Sequence, residues 1–265
     1  MSAPEVADIL ARILERRRRR VAAAPGAGRP LPEAAASRPL QAHENRFLGA
    51  LARRRGRAII AEVKLGSPSL GPLEDLIEPL EVARAYAAFG AAALSVVVEP
   101  DFFYGNYELL AACRRVSGLP AIAKDFIVDP VQIEWARQAG ADAVLLLAAV
   151  YSRDDLVAYA AEARRQGLAP LVEIHDLSEL TRLQGLPWEL VGVNNRDLRT
   201  FKVEISHGLA LASTLPTGAL KVAESGIHGA ADLHLLASSG YDAFLVGEAL
   251  LTAADPAAKL QELLA

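Results

Sequence analysis

Lysines are scarce in this chain, and where they fall suggests proton chemistry. Of its 28 basic residues only Lys64, Lys124, Lys202, Lys221 and Lys259 are lysines; the other 23 are arginines. Arginine keeps its proton inside a protein, whereas a desolvated lysine can release one. Lys64 closes an apolar run two residues after Glu62, and Lys124-Asp125 closes another. Three further runs end in Glu173 and His175, in Asn194-Asn195-Arg196, and in Glu224-Ser225. Strand residues two apart share a face, which pairs Glu62 with Lys64, Glu173 with His175 and Asn194 with Arg196. Partly buried ammonium and carboxylate groups need partners or shifted pKa values. Such a cluster suits general acid–base catalysis. A ring of purely structural ion pairs is the competing reading.

Two glycine-bearing ends point to a different task. Glu224-Ser225-Gly226-Ile227 and Gly247-Glu248-Ala249-Leu250 each place a glycine where a strand turns toward a helix. Backbone N–H groups at such turns can hold a phosphate. The competing reading is ordinary turn glycine. His43, His175, His207, His228 and His234 show no metal-binding spacing, and His175-Asp176 lacks further ligands, so no metal is expected. Ser67 and Ser225 sit outside any G-x-S-x-G elbow.

These groups need elements to hold them. From residue 56 onward, eight times over, a glycine is followed closely by a short apolar run: Gly56, Gly90, Gly118, Gly140, Gly167, Gly185, Gly218 and Gly240. Amphipathic stretches at Pro79–Phe89, Pro130–Ala139, Asp154–Gln166 and Ala230–Ser239 read as intervening helices. Continuously apolar runs suit strands covered on both faces. Eight β-then-α units predict an α/β fold, a (β/α)8 TIM barrel over residues 56–265, with active groups at the C-terminal strand ends. An open doubly wound sheet is the alternative, but no G-x-G-x-x-G follows the first run. Residues 1–55 read as an N-terminal helical extension: a helix over 1–22, an Ala/Pro/Gly-rich linker over 23–42 and a short helix over 43–55.

Composition narrows the function classes. The chain has 265 residues, 52% hydrophobic and 23% charged, which is globular. The single cysteine, Cys113, excludes an intrachain disulfide and points to a reducing cytoplasm. No apolar run is long enough for a membrane span, and the start does not read as a signal peptide. Residues 1–57 carry 13 arginines and 5 acids, net +8, against −4 overall, so the remainder is −12. The overall −4 argues against general polyanion binding; the +8 segment could bind nucleic acid or an acidic partner, but Arg16 to Arg20 read better as a solvated helix face or as docked on the acidic remainder, and no nucleic acid is expected.

The stretches IIAEVKLGSPSLG (59–71), AIAKDFIVDPVQI (121–133), LVEIHD (171–176), VGVNNRDLRTF (191–201), KVAESGI (221–227) and AFLVGEALL (243–251) together resemble indole-3-glycerol-phosphate synthase. The likeness runs from about residue 43 to the end, and the Arg-rich first helix is similar to that family's N-terminal extension. Leu65, Gly66, Leu70 and Val98 depart from its usual pattern. The resemblance implies a cofactor-free lyase of tryptophan biosynthesis. It would act on 1-(2-carboxyphenylamino)-1-deoxyribulose 5-phosphate by condensation, decarboxylation and dehydration. It implies Lys124 as general acid, on the ground that desolvation lowers a lysine's pKa, and Glu173 as general base. Lys64 would pair with the anthranilate carboxylate, Glu62 would orient both lysines, and Asn194 and Glu224 would bind hydroxyls or steer the lysines. Arg196, Ser225, Gly226, Gly247 and Glu248 would hold phosphate, Phe126 and Leu145 would wall the ring, and Ser67 would contact substrate. A monomer is expected, with a homodimer open. A Schiff-base lyase or isomerase using Lys124 is the rival chemistry.

Overall fold

The computed structural model describes residues 3–31, 37–68, 71–73, 78–197 and 202–265. Leu70, and residues 198–201 of the stretch VGVNNRDLRTF, lie outside the described residues. Eight parallel strands close into a barrel: β1 (Ala58–Val63), β2 (Ala93–Val97), β3 (Ala121–Lys124), β4 (Ala143–Leu147), β5 (Ala169–Ile174), β6 (Leu190–Asn194), β7 (Leu220–Glu224) and β8 (Ala243–Val246). Each pairs with its sequence neighbours, and β1 closes the ring against β8. The eight-unit expectation therefore holds, and the open sheet is excluded.

The glycine punctuation has a backbone cause. All eight run-opening glycines take positive φ, from 68° at Gly118 to 101° at Gly90. A residue without Cβ adopts that conformation at little cost. It ends the preceding turn and redirects the chain into the next strand.

Two helices precede the barrel. α1 (Ala3–Ala22) turns Ile9, Ile13, Arg17 and Val21 inward at four-residue spacing. α2 (Arg46–Ala52) closes the barrel floor, with Phe47, Leu48 and Leu51 packing among the strand-start residues Ala58, Ala93, Ala143, Ala169 and Ala243. Asn45 caps α2, accepting from the N–H groups of Phe47 and Leu48 at 2.9 and 3.1 Å, while its amide donates to the carbonyls of Asp142 and Gly167. One side chain thus starts the helix and staples it to the barrel.

The outer helices are α3 (Pro79–Ala88), α4 (Tyr107–Ser117), α5 (Val131–Gln138), α6 (Arg153–Arg165), α7 (Leu177–Leu180), α8 (Ile205–Leu211), α9 (Ala230–Ser238), α10 (Glu248–Leu251) and α11 (Pro256–Leu264). A second apolar cluster fills the space between the outward strand faces and these helices. Among the described residues no helix is long and apolar enough to cross a membrane.

Candidate active site

Barrel register gathers the polar strand ends. Val97 pairs with Lys124, Leu147 with Glu173 and Asn194 with Glu224. Neighbouring strands therefore deliver their last residues to one mouth. A cavity of about 330 Å³ opens there. Glu62, Lys64, Ser67, Lys124, Phe126, Leu145, Glu173, Asn194, Arg196, Ser225, Gly226, Gly247 and Glu248 all line it. Glu224 is the exception: it is fully buried behind Lys124 and does not reach the wall.

The charges converge. Lys124 Nζ lies 3.0 Å from Glu224 Oε2 and 3.6 Å from Glu62 Oε2, and Lys64 Nζ lies 3.2 Å from Glu62 Oε1. Glu62 therefore bridges the two ammonium groups. Asn194 donates from Nδ2 to Glu173 Oε1 at 3.1 Å. Glu173 Oε2 and Glu224 Oε1 are buried and accept no hydrogen bond among the described residues. Glycine makes room for these carboxylates: a Cβ on Gly192 would strike Glu224 Oε1, and one on Gly247 would strike Glu62 Oε1.

The electrostatics differ from the sequence expectation at one point. Burial alone would lower the Lys124 pKa, but Glu224, Glu62 and Glu173 outweigh it and hold the ammonium above its ordinary value. Lys124 is thus held firmly as the ammonium rather than softened toward the amine. Burial and the neighbouring Glu173 push the Glu224 carboxyl up, against the pull of Lys124. Glu62 and Glu173 go down in spite of burial, Glu62 through the two lysines, Glu173 through His175 first and then Lys124 and Asn194.

At the same mouth, Ser225 and Gly226 both have positive φ, 64° and 78°. For serine that conformation costs of order 1 kcal/mol. Asn195 holds it in place, donating to the carbonyls of Glu224 and Ser225 at 3.1 and 3.0 Å and accepting from Gly208 N at 2.8 Å. Arg196 pairs with the Glu248 carboxylate at 2.9 Å. Such a half-exposed pair contributes little, and a more highly charged anion can replace the carboxylate.

The roof comes from α1, whose Ile9, Leu10 and Ile13 line the cavity. Arg16 and Arg20 pair with Asp101, and Arg17 is buried against Asp125. Of the two readings of this arginine run, docking on the acidic remainder describes these three. Phe103 also lines the cavity, its ring 6.0 Å from that of Phe126. The sequence pattern assigns no individual role to Phe103, Asn195, His175 or Arg17. For Arg17 a signal existed: it extends the Ile9–Ile13 face by one more four-residue step. The departures in the first loop have packing reasons. Leu65 joins the outer apolar cluster, and a Cβ on Gly66 would strike the Tyr104 ring and the Gly71 carbonyl.

The sequence profile described as indole-3-glycerol phosphate synthase matches residues 10–263. The chain belongs to the indole-3-glycerol phosphate synthase family. Members of the family are carboxy-lyases of tryptophan biosynthesis. The family's enzyme from Chromobacterium violaceum is 41% identical over 261 residues, covering 97% of this chain and 98% of the relative. The one from Azoarcus sp. is 43% identical over 266 residues, covering 97% and 99%. Solved structures agree on the fold. A 3-hexulose-6-phosphate synthase from Salmonella typhimurium superposes with TM-score 0.63 at 16% identity, over 78% of this chain and 96% of that one. A thiamine phosphate pyrophosphorylase from Pyrococcus furiosus gives 0.58 at 16%, over 80% and 95%.

Proposed function

We propose that this chain closes the indole ring of indole-3-glycerol phosphate using the side chains gathered at the barrel mouth. The observation that supports this most directly is Lys124, an ammonium held between Glu62 and Glu224 at the wall of a cavity with an apolar roof. The substrate is 1-(2-carboxyphenylamino)-1-deoxyribulose 5-phosphate. Its phosphate lies against Arg196, Ser225, Gly226, Gly247 and Glu248, displacing the Glu248 side chain from Arg196. Its aromatic ring lies between Phe126, Leu145 and the α1 roof, with Ser67 at the edge. Lys64 pairs with the carboxylate.

In the first step the ring carbon bearing the carboxylate bonds to the ketone carbon while Lys124 gives a proton to the carbonyl oxygen. The carbon–carboxylate bond then breaks, CO2 leaves, and its electron pair restores the aromatic ring. In the last step the hydroxyl made from the ketone leaves as water with a second proton, given by Lys64 once its carboxylate partner has gone as CO2, and Glu173 takes a proton from the five-membered ring. Glu62 orients the lysines, Asn194 orients Glu173, and Glu224, absent from the cavity wall, steers Lys124 rather than binding hydroxyls. Residues 1–55 act as an extension that roofs and floors the barrel of residues 56–265. The working form is a monomer in the cytoplasm.

The Schiff-base alternative needs a neutral lysine, and three carboxylates around Lys124 oppose that. Borohydride added with substrate is expected to trap no adduct on Lys124. The decisive assay is the appearance of indole fluorescence from the ketose phosphate with purified protein and no added cofactor. Absence of that signal with folded protein would overturn the assignment.

A further inference from the structure

His175 lies one residue past β5, on the face of Glu173, yet it does not line the cavity. Its imidazole is 8% exposed and sits between two carboxylates. Nε2 is 3.1 Å from Glu173 Oε1, and Nδ1 is 3.5 Å from Glu179 Oε2. Neither nitrogen completes a well-angled hydrogen bond among the described residues, so the contact is chiefly one of charge. A neutral imidazole carries one N–H and one lone pair, and would turn the lone pair toward a carboxylate on one side. Only the imidazolium offers a positive edge to both.

The outer carboxylate is fixed. Glu179 on α7 accepts the His175 backbone N–H at 2.8 Å. Asp176 faces the start of that helix, accepting from the N–H groups of Ser178 and Glu179 at 2.8 and 3.1 Å. From α8, Nε2 of His207 meets the His175 carbonyl. Beyond Glu173 stand Lys124 of β3 and Glu224 of β7.

We propose that His175 is a positioning residue for ring closure: a buried imidazolium, pinned by Glu179, that keeps Glu173 ionised and aimed at the cavity. This rests on Glu173 being the base. Burial works against a charged imidazole, but the two flanking carboxylates prevail and raise His175 to about 10. Among the groups that hold the Glu173 carboxyl down, His175 is foremost. Without it, Glu173 remains in a buried site beside Glu224, so its proton affinity rises and it is neutralised earlier as pH falls.

The test is the pH dependence of kcat in His175→Asn and His175→Gln. The expected result is an acid limb displaced upward by about one pH unit or more, an about tenfold loss of kcat at a fixed pH on that limb, and KM within about twofold of the parent. An unshifted limb overturns the proposal, whether kcat is unchanged or uniformly reduced. If the variants fold poorly, histidine nitrogen chemical shifts in the free wild-type enzyme decide instead. The His175 ring is expected to remain doubly protonated through pH 8, and a neutral ring at pH 7.5 overturns the proposal. That measurement needs no substrate, so it is independent of the base assignment, which Glu173→Gln kinetics test separately.

Discussion

Lys124 and Asp125 are chain neighbours that belong to two unlike buried ion clusters. Around Asp125 each carboxylate oxygen is used. Arg17 donates to both, Tyr107 and Gln132 donate to Oδ2 at 2.8 and 2.9 Å, and Phe126 N donates to Oδ1 at 2.9 Å. Around Lys124 three carboxyl groups meet two ammonium groups, and two carboxylate oxygens have no partner among the described residues. A fully satisfied network has one low-energy arrangement and fixes shape. An under-satisfied one keeps electrostatic capacity for a ligand or a transferred proton. The first cluster anchors α1 over the mouth, and the second faces the cavity beneath it.

Substitutions should separate the two clusters by which quantity they change. Lys124→Met is expected to lower kcat by about 10³-fold or more, while near-UV circular dichroism still reports a folded barrel; a normal kcat would remove Lys124 as the acid. Arg17→Ala leaves Asp125 buried without its counter-ion, and should cost about 3 kcal/mol in denaturant unfolding. The comparison fails if Arg17→Ala is thermodynamically silent. Glu173→Gln should reduce kcat by about 10²-fold with KM little changed, as for a group acting only in the transition state. A large KM effect alone would make Glu173 a binder. The smallest effect belongs to Glu248→Gln, which relieves competition for Arg196. It should lower KM for the phosphorylated substrate by about twofold, and less at high salt because the pair is exposed.

Much of this architecture was visible in the residues because its causes are local. Positive-φ glycines and doubly covered strands leave compositional marks, and period-two spacing tells which strand-end residues share a face. The charged strand-end part of the cavity wall follows from those marks, since a closed barrel sends all strand ends to one rim, whereas Ser67, Phe126 and Leu145 were pointed to by the family resemblance alone. Arg17 was legible in part, as the next step of the Ile9–Ile13 face, but the carboxylate it meets, Asp125, was not. Two further things were not visible. Asn195 acts on a backbone turn 30 residues away, and nothing near it in sequence encodes that turn. Desolvation taken alone gave the wrong direction for Lys124, because the number of carboxylates around it is a tertiary property.

The adjacency of Lys124 and Asp125 also bears on how this strand can change over evolutionary time. Side chains along β3 alternate between the lumen and the helix layer, so gaining or losing one codon within it would exchange the two residues' sides. The proposed proton donor and the roof's anchor would be lost together. Length variation in this lineage should therefore accumulate in the surface loops, while the span from Ala121 to Asp125 keeps a constant residue count.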